Sequence, residues 1–358
     1  MNKINLVIFA ITALLATSSS FAEDVPLESL SVGKGKAKLG VLLQTWMIDD
    51  TTILSSTGDS HLNYRLRRAE LKLSGSVVEN TRWFVMIDPA KSLRSGSVST
   101  NNDNKVLQDL GVAFTLYPDL EIVAGQFKIP TTSEGLDSSS ELLFPERAYV
   151  SRYFGDRRDI GMMLNGTFGP LQAKLMASNG QPNVNSNAAN IDDTNNSKDL
   201  NTRLDYKISD AFKAGAFYGQ SQAVVGSSTR YGGNLRFKWD ELQLRAEGVQ
   251  AKELDIDRNG MTTEVAYDVS DKFQPALRYE NFQVTTDPNT SSSSAYTLGL
   301  NYLIHSHNAK IQLAGTVLKN MSSTSSTSTA GVNVSSGTYN PVAGRDGTLV
   351  ILNAQMAL

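Results

Sequence analysis

The chain has 358 residues, 33 Lys and Arg against 36 Asp and Glu, a formal net charge of −3 and no cysteine. Without cysteine, disulfides and thiolate metal sites are excluded, and the near-neutral charge excludes the global basic field that a nucleic-acid binder needs. Aromatic and β-branched residues occur along the whole chain, so its composition is not that of a disordered protein.

The N-terminus has the three-part pattern of a secretory signal peptide. A short basic start ends at Lys3, Ile4 to Ala16 form an apolar run, and Ser20 and Ala22 place small residues at positions −3 and −1 of a cleavage site. The alternative, a transmembrane anchor, would need about 20 apolar residues. We therefore predict a signal peptide over 1–22 and a short periplasmic segment over 23–35.

The body of the chain follows a two-residue period. Tyr231, Leu235 and Trp239 alternate with Arg236 and Lys238. Only a β-strand places these two sets on opposite faces. The same alternation predicts sixteen strands, over 36–47, 64–77, 81–88, 106–117, 120–129, 159–168, 170–178, 199–207, 212–221, 229–239, 241–251, 260–269, 273–283, 294–304, 309–318 and 347–358.

The connections between these strands alternate between short and long. Tight turns such as 118–119 and 240 are followed by long polar stretches such as 179–198 and 319–346. Tight turns on one rim and long loops on the other are typical of an outer-membrane barrel. We predict an all-β fold over 36–358: a closed transmembrane barrel of 16 antiparallel strands, with the last strand closing on the first.

The two faces of the predicted strands suit lipid outside and water inside. One face is apolar, as in Leu110, Val112 and Phe114, whereas the opposite face carries charges such as Glu247 and Arg278. A dry core could not hold so many charges cheaply, but a water-filled lumen removes that cost. The alternative, a secreted all-β solenoid or propeller, would require a fixed repeat, which the chain lacks.

A barrel of sixteen strands is wide enough for an aqueous channel. Its expected function is passive diffusion of small hydrophilic solutes across the bacterial outer membrane. We expect the third long loop, 130–158, to fold into the lumen as a constriction, because its apolar and aromatic residues, such as Phe144 and Phe154, need a surface to pack on, most simply the inner wall of the barrel. The loop contains four arginines, a residue type that suits phosphate or carboxylate, namely Arg147, Arg152, Arg157 and Arg158. The same loop contains five acids. The sequence is therefore compatible both with an anion filter and with a constriction that has a positive side facing a negative side.

Three motifs resemble the phosphate-selective porin O and P family. They are the opening hairpin from Tyr64 to Gly75 with Trp83-Phe84, the stretch from Gly125 to Pro130, and Phe144 to Ala148 followed by Arg158 to Gly161. The resemblance implies a channel of sixteen strands, usually a homotrimer, with a basic lumen. It also implies that phosphate or other anions are the solutes.

The motifs and the alternation together give the candidate pore residues. The resemblance places Lys128 in the lumen at the constriction, with Arg147 and Arg158 beside it. The alternation places Lys128 on one face with Ala124 and Gln126, opposite Phe127 and Ile129. The further candidates are the inward residues Arg68 and Lys72 and a cationic strip comprising Arg230, Arg236, Lys238 and Arg245. For each cation the alternative is a structural salt bridge.

Two features depart from the family pattern. The net charge is slightly negative, and the chain ends in Leu358 where such barrels commonly end in an aromatic residue. We therefore predict a porin that leans to anions such as phosphate. The alternatives are a non-selective general diffusion porin and an adhesin or structural barrel without channel activity.

The sequence gives little support for an enzyme. Its three histidines are His61, predicted in a long loop, and His305 and His307, predicted in a short turn. A lipid-cleaving Ser–His pair would need both groups within hydrogen-bond reach on the outer wall. Two histidines without nearby carboxylates make a weak metal site. We expect neither a catalytic residue nor a metal nor a cofactor.

Overall fold

The computed structural model describes residues 30–32, 35–50, 61–93, 106–180, 196–223, 226–253, 256–286, 289–320, 332–333, 338–339 and 346–358. The predicted signal peptide and most of the predicted periplasmic segment lie outside these residues.

Nineteen strands run through the described part of the chain. In chain order they are β1 (Leu30–Val32), β2 (Gly35–Asp50), β3 (His61–Val78), β4 (Thr81–Ile87), β5 (Leu107–Tyr117), β6 (Leu120–Lys128), β7 (Arg158–Phe168), β8 (Leu171–Ser178), β9 (Asp199–Lys207), β10 (Phe212–Ala223), β11 (Gly226–Trp239), β12 (Leu242–Glu253), β13 (Ile256–Tyr267), β14 (Phe273–Thr286), β15 (Asn289–His305), β16 (Ala309–Lys319), β17 (Val332–Asn333), β18 (Thr338–Tyr339) and β19 (Gly347–Ala357).

Sixteen of the strands, β2 to β16 and β19, form one closed antiparallel barrel. Each pairs with its neighbours in sequence, and β19 pairs with β2 from Leu349 opposite Asp50 to Ala357 opposite Leu42. The prediction of a closed sixteen-stranded barrel is confirmed. The remaining strands are short: β1 pairs with the start of β2, and β17 pairs with β18.

Several strands are longer than predicted at the rim that carries the long loops. The strand predicted over 294–304 begins at Asn289 and has 17 residues, and that predicted over 260–269 begins at Ile256. Crossing the hydrocarbon core takes only about 9–11 residues of tilted strand. Apart from Ile256, the added residues are polar on both faces, because a strand that extends beyond lipid needs no apolar side.

The wall divides into an apolar outside and a polar inside, as predicted. On β15, Leu298 is 63% exposed, whereas Thr297 beside it is 3% exposed. Outward residues also include Leu110, Phe114 and Met162, all of them well exposed in the isolated chain. A barrel in a bilayer covers this surface with lipid acyl chains, and closure leaves no unpaired backbone edge in hydrocarbon.

The interior contains a chain segment between β6 and β7, residues 129–157, here called the inward loop. It includes two short helices, Ser133–Leu136 and Tyr149–Phe154, and a 3₁₀ turn at Ser139–Glu141. Among the described residues, no helix is long and apolar enough to cross a membrane. Strand β18 lies beside the second helix.

Candidate functional site: the lumen and its inward loop

Apolar side chains attach the inward loop to the barrel wall. Leu143 and Phe144 pack against small inward residues of the wall, and the helix Tyr149–Phe154 packs against Phe217 and Phe282. The rings of Phe154 and Phe282 stack with centroids 5.5 Å apart. The apolar residues of the loop thus serve to hold it against the inside of the wall.

Polar side chains of the wall bind the backbone of the same loop. The loop carbonyls accept hydrogen bonds from one wall side chain after another: Gln44 to Ser139 (3.2 Å), Gln355 to Ser140 (2.9 Å), Lys310 to Leu142 (2.8 Å), Asn301 to Leu143 (3.0 Å), Arg278 to Glu146 (2.9 Å) and Arg203 to Thr131. A buried carbonyl without a partner would be costly, so these contacts are required once the loop is inside. Part of the polar inner face therefore serves the loop and not the solute.

Carboxylates of the wall and loop accept from backbone N–H groups at the starts of the short helices. Glu247 accepts from the Ser133 N–H at 2.5 Å, Glu280 from that of Tyr149, and Glu134 from that of Ala148 at 2.9 Å. The first N–H groups of a helix have no partner within the helix, and negative charge there is favourable. These acids fix where the two helices begin.

Glu146 forms the most buried ion pairs of the loop. It accepts from Arg67 Nε at 2.6 Å and from Arg68 Nη2 at 2.9 Å, and all three side chains are at most 4% exposed. Burial raises the pKa of the Glu146 carboxyl, but the charges of Arg67 and Arg68 outweigh burial and hold it well below its usual range. Its stabilising charge is fully present above about pH 4.5 and is lost only as the pH falls through the depressed pKa.

We predict that Glu146→Gln destabilises the barrel by about 3–5 kcal/mol, because it leaves two buried guanidinium groups without an anion. The free energy of unfolding, from denaturant titration of the protein in detergent, measures the effect. The matched control is Glu121→Gln, which breaks the pair with the 50% exposed Arg82 and should cost less than about 1 kcal/mol. Equal losses in the two variants would contradict the anchoring role of Glu146.

Asp156 forms ion pairs with three cations, one at the end of β6 and two in the loop. Lys128 lies 3.3 Å from its carboxylate, Arg152 2.6 Å and Arg147 3.4 Å. Burial raises the pKa of Asp156, but the charges of Arg147, Lys128 and Arg152 hold it well below its usual range. Arg147 also donates to the carbonyls of Glu134 and Asp137, so it holds the loop together from within.

Lys128 contacts the inside of the barrel, but its predicted face is wrong. Its ammonium donates to the carbonyl of Gly135 at 2.6 Å and to that of Asp137 at 3.2 Å. Ala124 pairs with Val112, whose side chain is exposed on the outside, whereas Phe127 is buried. Lys128 is the last residue of β6, where the chain leaves the wall, so its side chain follows the inward turn and not the alternation.

The two arginines at the end of the loop have separate partners. Arg157 donates to the Tyr153 carbonyl and lies over its ring at 5.6 Å. Arg158 lies on β7 and pairs with Asp109 at 2.7 Å. Arg157 thus contacts the helix Tyr149–Phe154, and Arg158 contacts the wall strand β5.

On β3, Arg68 and Lys72 share the inward face with Glu70 between them. Lys72 is 40% exposed and lies 3.1 Å from Glu70. Arg67 also points inward, because β3 carries a bulge that sets Arg67 as an extra residue between Arg68 and Leu66. Two-residue alternation misses such a residue, and the sequence offers no signal for the bulge.

A further group of cations lies on the strands across the lumen. Arg236 donates to the Asp137 carboxylate through Nη1 at 3.0 Å and Nη2 at 2.7 Å. Arg245 lies 3.6 Å from the same carboxylate. Lys238 is exposed and has no ion pair within the described residues. Arg230 donates to Ser221 at 3.2 Å, away from this group.

Cross-strand register joins Arg236 and Arg245 to two lysines on the neighbouring strands β9 and β10. Lys207 lies opposite Lys213, Lys213 opposite Arg236, and Arg236 opposite Arg245. We call these four residues the cationic row. Only the register of four strands reveals it.

Exposed fractions show where the lumen is open. On the side of β14 to β19, the inward residues Glu280 and Lys310 are each 1% exposed because the inward loop covers them. On the side of β3 and β4, Lys72 and Arg82 are 40% and 50% exposed. Both lie near the short turn between β3 and β4, whereas Arg68 and Glu70 farther along β3 are 3% and 4% exposed and contact the loop. The exposed inward side chains therefore lie toward the rim of short turns, and those that contact the inward loop are covered.

The histidines form no metal site in the described part of the chain. His61 was predicted in a long loop, and this is wrong: it is the first residue of β3 and lies opposite Asp50. His307 Nδ1 is 3.2 Å from the Lys310 ammonium, a poor setting for a cation. No group of three or more His, Asp or Glu side chains that could bind a metal occurs among the described residues.

Comparison with known families decides the identity. Residues 49–237 match the model of the family described as phosphate-selective porin O and P. The chain belongs to the phosphate-selective porin O and P family. Its members are outer-membrane channels and not enzymes, which places this porin in the bacterial outer membrane. Among curated proteins, none matches the chain.

Solved structures share the fold of this porin at low identity. The anion-selective porin from Comamonas acidovorans aligns with a TM-score of 0.65 and 15% identity, covering 91% of this chain and 100% of that one. OprB of Pseudomonas putida gives a TM-score of 0.62 and 10% identity, covering 90% and 94%. The trimer form of OmpT from Vibrio cholerae gives 0.60 and 13%, covering 90% and 99%.

Proposed function

We propose that this porin is a passive channel for small hydrophilic solutes that favours anions, phosphate among them. The observation that carries the proposal is the cationic row, four bases in register on β9 to β12. Arg236 and Arg245 share the carboxylate of Asp137 and Lys207 lies 2.5 Å from Asp210, so the four bases exceed these two acids by two charges. Arginine and lysine suit phosphate and carboxylate groups, and a surplus of positive charge in the lumen concentrates anions. The family description and the anion-selective Comamonas porin add support.

A second candidate is a general diffusion porin without strong selectivity. The observation that favours it is the pairing of lumen cations with acids, as in Lys72 with Glu70 and Arg158 with Asp109. Pairing cancels much of the field that a permeating anion would meet.

Reversal potential in planar bilayers separates the two candidates. Under a KCl gradient at low ionic strength, we expect a potential of the sign that marks preferential chloride flow. Added phosphate should then lower the chloride current more than sulfate at equal ionic strength does. A reversal potential of zero would support the general porin, and equal effects of phosphate and sulfate would limit the proposal to anions as a class.

We also propose that the porin is exported with cleavage of residues 1–22 and assembles as a homotrimer. Support comes from the signal-peptide pattern, the family resemblance and the trimer form of OmpT. N-terminal sequencing of the protein from outer membranes should begin at Glu23, and native mass measurement should give three chains.

A further inference from the structure

A shallow groove crosses the inner wall beneath the inward loop. Four small inward residues lie directly opposite one another on adjacent strands, Ala266 on β13, Ala276 on β14, Gly299 on β15 and Ala314 on β16. Large side chains at these positions would fill the space. The groove exists because four strands carry small residues in the same register.

Phe144 of the inward loop lies in this groove. Its ring packs with the three alanines, and the Arg278 guanidinium lies over the ring at 4.5 Å. A Cβ added at Gly299 would come within 2.9 Å of Phe144 Cε1 and 3.0 Å of Cδ1. Such contacts are closer than ordinary packing, so any side chain larger than hydrogen at position 299 requires Phe144 to move.

Movement of Phe144 would also disturb the polar contacts on either side of it. The carbonyls of Leu142 and Leu143 accept from Lys310 and Asn301, and that of Glu146 accepts from Arg278. A ring pushed off the wall moves into the interior of the barrel and takes the backbone of the inward loop with it. We infer that Gly299 is a positioning residue that sets the bore of the channel by letting Phe144 lie against the wall.

The test uses two substitutions, Gly299→Leu, which adds a side chain to the wall, and Phe144→Ala, which removes the ring that packs there. Each variant and the double variant are measured by single-channel conductance in planar bilayers. Gly299→Leu should lower conductance by roughly two-fold, because overpacking displaces the loop. Phe144→Ala alone should leave conductance equal to or above that of the parent. The double variant should return toward the parent value, since the new side chain fills the space that the ring vacated.

Gly315→Leu is the matched control. Gly315 lies on the neighbouring strand β16, and a Cβ added there meets nothing within 4 Å. Gly315→Leu adds the same side chain to the same sheet without a clash, so we expect the conductance of the parent. Resistance of the folded barrel to unfolding in SDS, checked for all variants, identifies any that fail to fold.

Two results would overturn the inference. One is a folded Gly299→Leu barrel with the conductance of the parent. The other is a double variant that conducts no better than Gly299→Leu, which would show that position 299 acts other than through Phe144. If Gly299→Leu does not fold, the double variant decides the question. A double variant that folds and conducts like the parent supports the inference, and a double variant that does not fold contradicts it.

Discussion

Removal of residues 142–154, with Glu141 and Gly155 joined by a short Gly-Ser linker, is expected to raise single-channel conductance severalfold. This segment carries the apolar residues that hold the inward loop on the wall, including Phe144 and Phe154. Without it, inward residues such as Lys310 and Glu280, each 1% exposed, become part of an open lumen. Conductance follows the open cross-section, so uncovering half of the wall should widen the path.

Leu298→Ala provides the control for the deletion. Leu298 faces outward and is 63% exposed, so its truncation removes apolar surface without touching the lumen. It should conduct like the parent. A deletion variant with unchanged conductance would place the inward loop outside the path of the ions.

Charge reversal at Lys213 and Lys238 together should shift the reversal potential toward cations. Both side chains are exposed and point inward, and neither has an ion pair within the described residues. The change from Lys to Glu therefore alters the field without breaking a contact. Because the Debye length falls from about 10 Å at 0.1 M to about 3 Å at 1 M salt, the shift should be largest at low salt.

Lys252→Glu is the control for charge. Lys252 is also exposed but lies on the outer face of β12, so reversal there should not affect selectivity. An unchanged reversal potential in the double variant would remove the unpaired lysines from the selectivity of the pore. Lys128→Glu is a poorer test, because the new carboxylate would face Asp156 and two carbonyl oxygens.

The strands could be predicted from the sequence because lipid and water impose a strict alternation on every one of them. One strand shows this: the alternation of Tyr231, Leu235 and Trp239 with Arg236 and Lys238 is enough to predict β11. The structure places β11 at Gly226–Trp239. The added residues at the outer end, Gly226 to Ser228, carry no alternation because both faces meet water there.

The site could be predicted only as a set of residue types. The sequence predicts Arg147 beside the pore, but its partners are two carbonyls and the Asp156 carboxylate of its own loop, and no sequence pattern specifies which group a guanidinium will reach. Arg67 was missed because a single bulged residue changes the face of a strand. Lys128 was assigned the wrong neighbours because alternation stops where a strand leaves the sheet.

The seam between β19 and β2 joins the two ends of the barrel domain. Leu358 and Val41 exchange backbone hydrogen bonds at 2.9 and 3.1 Å, which extends the pairing that closes the ring. Until β19 pairs with β2, the sheet has two open edges, and open edges invite pairing with other chains. Loss of β19 would therefore leave an aggregation-prone open sheet and not a smaller channel.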